Sequence, residues 1–258
     1  MSAEQHVALR WVDPRDDVVD EAAAVLPLSD AEHRRLATVP DRRRFLLGRA
    51  LLRATAAELV GAAPDEVRII ATCPECGTEH GRPEAILPDG RRVHVSLSHS
   101  PTATVAVASL AGDIGVDVEM IDAARFAGVE DVALSARERA GWLQLPKRQR
   151  LPALAQFWTR KEAVLKAIGT GLRVDPATIE VTTPSRDHAP RVLVLPAALA
   201  GPAALARPAA PALSTSIRLQ DVQLSQGLAA SIAIILTADP SDLSDPSEPT
   251  APAGADRA

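Results

Sequence analysis

The chain of 258 residues contains no tyrosine, and three tryptophans and three phenylalanines are its whole aromatic content. Its cores must therefore be built from Ala, Val, Leu and Ile, and the composition argues against nucleic-acid binding by stacking bases on aromatic platforms. The two cysteines, Cys73 and Cys76, are too few for a disulfide framework and fit a reducing compartment. Residues 1–11 hold no apolar stretch of the signal-peptide kind, and the longest apolar run, near Leu228 to Leu236, is too short to span a bilayer. A cytoplasmic protein without membrane contact is expected. Also missing are a Walker-type phosphate loop, a Gly-x-Ser-x-Gly elbow and a dinucleotide fingerprint, so kinase, hydrolase and dehydrogenase readings have no support.

Lysine is scarce as well. Of 28 basic residues only Lys147, Lys161 and Lys166 are lysine. Two of them fall in Phe157 to Ile168, where Trp158, Leu165 and Ile168 recur at helical spacing and can face a core. Glu162 and Lys166, four apart, project from one face of that helix. Such a pair is most often a surface ion pair worth about 0.3–0.5 kcal/mol. A chain that uses arginine elsewhere and keeps lysine here points instead to a compact donor whose pKa can be moved.

Hydrophobic residues make up 47% of the chain, enough for one large domain or two small ones. The net charge is -5, of which residues 239–258 carry -4, so the body is close to neutral and no general nucleic-acid binder. Residues 33–53 are locally basic, with seven arginines (Arg34, Arg35, Arg42, Arg43, Arg44, Arg49, Arg53) against Asp41; phosphates or an acidic protein surface would suit them.

An internal repeat organises the rest. Ser29 with Glu32 and Ser135 with Glu138 are two capping boxes 106 positions apart, and Pro40, Arg42 and Arg44 recur at the same offset as Pro146, Arg148 and Arg150. Each copy then runs into a long helix, Arg43 to Val60 and Leu154 to Ile168, and on to a Pro-marked turn and strand, Pro64 to Ile70 and Pro176 to Val181. Val95 to His99 and Val222 to Gln226 match at an offset of 127, most of the growth coming from a Pro/Ala-rich insertion near Pro196 to Leu213. The copies differ where chemistry would be: His99 becomes Gln226, and Arg53 and Glu58 offer no counterpart to Lys-Glu-x-x-x-Lys. One site between unequal α+β halves is expected.

Between the copies, Asp113 to Glu119 alternates strictly and reads as a strand with Asp117 and Glu119 on one face. Two carboxylates there suit a hard cation such as Mg²⁺, with Glu162 available as a third oxygen ligand. Gly115 at the start of the strand signals close approach of a ligand or of another backbone. Ser98 and His99 close a strand just before Pro101, a good place to meet a phosphate. Cys73 to His80 looks like half of a zinc site, without a second Cys/His pair at ligand spacing.

Taken together, Ile114-Gly115-Val116-Asp117-Val118-Glu119 and Trp158-Thr159-Arg160-Lys161-Glu162-Ala163-Val164-Leu165-Lys166 resemble the two signature motifs of the 4′-phosphopantetheinyl transferases, in the Trp/Lys-Glu-Ala form of the surfactin-synthetase-activating type. The resemblance covers roughly residues 28–236. It implies two pseudo-twofold-related α+β subdomains, 1–112 and 113–238, with coenzyme A in the cleft between them; the Asp-, Pro- and Ser-rich composition of residues 239–258, with almost no apolar content, predicts a disordered acidic tail. It further implies that Asp117, Glu119 and Glu162 ligate Mg²⁺, that Glu162 is or positions the base, and that Lys166 steadies the departing phosphate. Arg44, Arg82, Ser98 and His99, with Asp117 and Lys166, would contact coenzyme A. The implied partners are apo acyl or peptidyl carrier proteins, which are acidic and helical; the internal duplication is compatible with a monomer, since one chain supplies two halves that could otherwise meet as subunits. A non-catalytic coenzyme A-binding or carrier-binding relative of the same fold would show damage to the acids, and Asp117, Glu119, Glu162 and Lys166 are all intact.

Overall fold

The structure, a computed structural model, describes residues 6–16, 27–73, 76–185, 187–196, 199 and 217–236. The acidic tail and nearly all of the Pro/Ala-rich insertion lie outside the described residues. In chain order the strands are β1 (Val7–Val12), β2 (Arg68–Ile70), β3 (Glu84–Ile86), β4 (Arg92–Ser100), β5 (Ala103–Ser109), β6 (Gly112–Met120), β7 (Glu180–Val181), β8 (Val192–Val194), β9 (Ile217–Asp221) and β10 (Leu228–Leu236). The helices are α1 (Asp30–Leu36), α2 (Arg42–Val60), α3 (Val129–Ala133), α4 (Ala136–Gln144) and α5 (Lys147–Ile168), so the fold is mixed α+β.

Both capping boxes form. Ser29 Oγ accepts from Glu32 N–H at the start of α1 and Ser135 Oγ from Glu138 N–H at the start of α4, each at 3.2 Å. The two long helices, α2 and α5, follow, and each ends at a left-handed glycine, Gly61 and Gly169. Helix α5 starts earlier than its sequence pattern indicates, at Lys147 rather than Leu154. Pro152 removes only its own N–H from the ladder, and that single lost bond is tolerated near the start of a long helix.

Strand pairing is antiparallel throughout. One sheet has the order β1-β5-β4-β3-β2; the second half gives β6-β10-β9 and a separate β7-β8 ribbon. Matching β1 with β6, β5 with β10, β4 with β9, β3 with β8 and β2 with β7 reproduces the first order in the second half, with a break between β9 and β8. One sequence match fails in this pairing. His99 pairs with Thr104 inside the β4-β5 ladder, whereas Gln226 lies in the turn before β10.

Three apolar layers hold these parts together. Leu51, Leu52, Ala56 and Ala57 of α2 cover one face of the first sheet, against Val93, Val95, Ala106 and Ala108. Leu154, Phe157, Val164 and Leu165 of α5 belong to a second layer with Ala229, Ala233, Ile217 and Leu219. Between the sheets, Val105 and Val107 pack with Ile114, Val116, Val118, Ile232 and Ile234. Alanine and valine do here what aromatic residues do elsewhere, and they let helix and sheet backbones come close.

Each capping glutamate also receives a buried cation from its long helix. Arg53 Nη2 lies 2.7 Å from Glu32, and Lys161 Nζ lies 2.5 Å from Glu138. Lys161 is fully buried and donates as well to Ala133 O and Pro176 O. Burial draws its pKa down, against the pull of Glu138. Arg53 is thus the counterpart of Lys161, and the scarcity of lysine misleads at this position. Carrying that equivalence along the helices sets Ala54 against Glu162 and Glu58 against Lys166, so the two copies diverge just at the expected site.

Candidate active site at the edge of β6

The outer edge of β6 is satisfied by side chains instead of by another strand. Val116 N–H donates to Ser96 Oγ at 3.1 Å and Val118 N–H to Ser98 Oγ at 3.3 Å, so β4 and β6 ascend side by side, joined through two serine hydroxyls. The carbonyls on this edge are met from elsewhere: Arg82 Nη2 donates to Ile114 O at 3.2 Å and Lys166 Nζ to Val116 O at 3.0 Å. An exposed edge would otherwise invite pairing or leave buried polar groups unmet.

Helix α5 reaches this edge because Gly115 has no side chain. A Cβ there would lie 2.1 Å from Ala163 O and 2.5 Å from Ala167 N, so the glycine serves the approach of a backbone, not of a ligand. Glu162 and Lys166 are thereby brought over the strand beside Asp117. Lys166 Nζ donates to Asp117 Oδ1 at 2.7 Å and to Ser98 Oγ at 3.1 Å, which with Val116 O engages all three of its protons. Ser98 donates in turn to Asp117 Oδ1 at 2.8 Å. Its hydroxyl is fully engaged, so it can meet a phosphate only by giving up one of these bonds.

The carboxylates are strained electrostatically. Burial, reinforced by Asp117 and Glu119 and opposed by Lys166, pushes the Glu162 carboxyl up to about 7. Glu119 is also raised, by burial and then Asp117, although Arg125 lies 3.0 Å from it. Asp117 Oδ2 and Glu162 Oε1 are buried and have no hydrogen-bond partner. Hard oxygen donors, two of them orphaned, fit Mg²⁺. The three carboxylates stand wider than a closed ligand set: among the described residues, the group of three whose ligand atoms all lie within 4.8 Å of one another is Cys73, Cys76 and His80. Arg125 engages Glu119 Oε2, which leaves Oε1 for a cation.

Next to the acids is a cavity of about 390 Å³ lined by Arg15, Arg43, Arg44, Arg125, Asp41 and His99, with Thr104 and Ser100 behind. Four arginines line it against Asp41, and although Arg15 is paired with Asp13 and Arg125 with Glu119, the excess of positive charge suits an anion. Arg43 holds its rim by donating to Pro14 O and Asp16 O. The basic stretch of the sequence is divided here, since Arg49 and Arg53 turn inward to Glu32 and do not reach the cavity. His99 has its Nδ1 3.1 Å from Thr104 Oγ1, and burial, then Arg44 and Lys166, lower its pKa to about 4. It is neutral at physiological pH.

Of the residues singled out in the sequence, Ser98, Asp117, Glu162 and Lys166 come together, with Glu119 alongside. Arg44 and His99 share the cavity. Arg82 stands apart on the same β6 edge, bound to Ala167 O, Ile114 O and Asp113, and does not line the cavity. Arg125 and Thr104 were missed. Arg125 had a signal: Asp122 Oδ1 accepts from Ala124 N–H and Arg125 N–H, a turn directly after β6 that returns the arginine to Glu119.

Residues 113–201 match the 4′-phosphopantetheinyl transferase superfamily. That segment contains Asp117, Glu119, Glu162 and Lys166. The chain is 27% identical over 179 residues to 4′-phosphopantetheinyl transferase HetI of Nostoc sp., spanning 67% of this chain and 71% of that one. A second relative, from Synechocystis sp., is 26% identical over 165 residues, which is 63% of this chain and 65% of its own. Among solved structures, a holo-(acyl-carrier-protein) synthase from Bacillus anthracis in complex with CoA aligns with 49% of this chain and 96% of its own, at 20% identity and a TM-score of 0.37. At that score the likeness decides neither fold nor function. No helix among the described residues is long and apolar enough to cross a membrane.

Proposed function

We propose that this protein transfers the 4′-phosphopantetheine group of coenzyme A to a serine of an apo acyl or peptidyl carrier protein, releasing adenosine 3′,5′-bisphosphate. The observation that carries this reading is the convergence of Asp117, Glu162 and Lys166, from β6 and α5, beside an arginine-lined cavity. An anionic diphosphate, a hard cation and a base would meet there.

Asp117, Glu119 and Glu162 would hold Mg²⁺, which supplies charge stabilisation for the pyrophosphate oxygens. Glu162 takes or directs the proton of the serine hydroxyl. The serine oxygen bonds to the β-phosphorus as the bond from that phosphorus to the departing bisphosphate breaks. Lys166 exchanges its bond to Ser98 or Val116 O for the leaving phosphate, and the arginines of the cavity counter the nucleotide's charge. The repeated element order supports two subdomains, 1–112 and 113–238, related by a pseudo-twofold axis.

Intact-mass spectrometry of apo carriers incubated with protein, coenzyme A and Mg²⁺ tests the reading. A gain of one phosphopantetheinyl group, abolished by EDTA and restored by Mg²⁺, is expected. Glu162→Gln should abolish the gain without unfolding the protein, and full turnover in that variant would falsify the role assigned to Glu162.

A further inference from the structure

The structure assigns a second metal site, for a soft divalent cation of the zinc kind, to Cys73, Cys76 and His80. Their ligand atoms all lie within 4.8 Å of one another, with Cys76 Sγ and His80 Nε2 3.0 Å apart. Around tetrahedral zinc, with bonds of about 2.3 Å to sulfur and 2.0 Å to nitrogen, ligand atoms stand roughly 3.5–3.8 Å apart. The cluster is therefore within small side-chain adjustments of a coordination shell. Two sulfurs and an imidazole favour zinc over magnesium. Three protein ligands leave the fourth position to water.

The surrounding loop has the form that a metal turn needs. Gly77 N–H donates to Cys73 O and Cys73 N–H to Thr78 O, each at 2.8 Å, which folds the two cysteines onto one side. The Thr78 hydroxyl stands 3.0 Å from Cys76 Sγ. Donors aimed at a ligand sulfur are the usual support for a metal thiolate.

Its position gives the site a task. Two residues beyond His80, Arg82 crosses to the second half, reaching Ala167 O at 3.1 Å and Asp113 at 3.1 Å. The link is tight: Gly81 N–H donates to Ala71 O at 2.6 Å, and a Cβ on Gly81 would lie 2.5 Å from Thr72 O. A metal on Cys73, Cys76 and His80 clips the base of this loop and fixes the stance of Arg82 against α5 and β6. This does not rest on the transferase reading.

The full chain, purified under reducing conditions, is measured for zinc and then loaded with Co²⁺. About one metal ion per chain is expected, with thiolate-to-cobalt charge-transfer bands and tetrahedral d–d absorption. Cys73→Ser and His80→Ala should each lose the tetrahedral spectrum, and Thr78→Ala should bind zinc roughly tenfold more weakly. Absence of binding at micromolar zinc, or a cobalt spectrum indifferent to His80→Ala, overturns the site. Stripping zinc should lower the melting temperature of the native chain more than that of Arg82→Ala; equal losses overturn the clip. In the transfer assay Cys73→Ser should still require Mg²⁺, which separates this site from the acids.

Discussion

Replacing Gly115 with alanine places a methyl group where the backbone of α5 already lies. The new Cβ would sit 2.1 Å from Ala163 O, 2.5 Å from Ala167 N and 2.9 Å from Lys166 Cβ. Non-bonded heavy atoms settle at about 3.5 Å, so the helix must withdraw by roughly 1 Å. Overpacking typically costs about 1–3 kcal/mol. Two of the three contacts are backbone of a 22-residue helix whose other side is packed into the second core, which argues for the upper end. A loss of about 3 kcal/mol lowers the melting temperature of a domain of this size by roughly 6–12 °C. The same withdrawal stretches the 2.7 Å bond between Lys166 and Asp117 and carries Glu162 with it. A misplacement of about 1 Å can reduce turnover about a hundredfold. Urea and thermal melts, with transfer rates on the surviving folded protein, measure both effects. Gly141→Ala in α4 is the control: its nearest neighbour would be Thr183 Oγ1 at 3.5 Å, and the change should be neutral or stabilise by up to about 1 kcal/mol. A Gly115→Ala melting temperature within about 1 °C of the native value would refute the reasoning.

Lys161→Met should cost about 3–5 kcal/mol in urea unfolding because it strands the buried Glu138 carboxylate, and adding Glu138→Gln should restore part of that. In the metal-free protein, the raised Glu162 keeps a proton that the unfolded chain gives up above pH 4.5; its contribution is complete below that pH and is lost as pH rises through about 7. His99 has the opposite sign, its contribution complete above pH 6.5 and lost as pH falls through about 4. Comparing native and Glu162→Gln stability from pH 4 to 8 isolates the first slope, and parallel curves would contradict it. Arg125→Ala should weaken coenzyme A binding, measured by calorimetry, while leaving the fold intact, since its arginine lines the cavity and is half-exposed at Glu119.

The starts of α1 and α4, the alternation of β6 and the repeated element order were legible because capping boxes and period-2 patterns are local signals, whereas α5 begins at Lys147 with no side-chain cap to mark it. The acids and Lys166 were legible for the same reason, lying on one strand and one helix face. The cavity was not: its lining comes from positions 14 to 125, and only the folded chain brings Arg15, Arg44 and Arg125 together. Lys161 was misjudged because its partner stands 23 positions away, and nothing in a count of lysines distinguishes a core cation from a site cation. The equivalence of His99 and Gln226 failed because a run of similar residues does not fix strand register. Cys73 and Cys76 were visible as a pair, and His80 joined them only through the turn at Gly77.

The hydroxyl seam between β4 and β6 also makes the protein its own gauge. The amide protons of Val116 and Val118 are covered by Ser96 and Ser98 and by nothing in the β6-β10 ladder. Solvent deuterium reaches them when the two strands part, and their neighbours on the ladder side exchange only when the sheet itself unfolds. The ratio of the two exchange rates therefore measures how often β4 and β6 part, and a ligand that holds the two strands together should slow the first and leave the second unchanged.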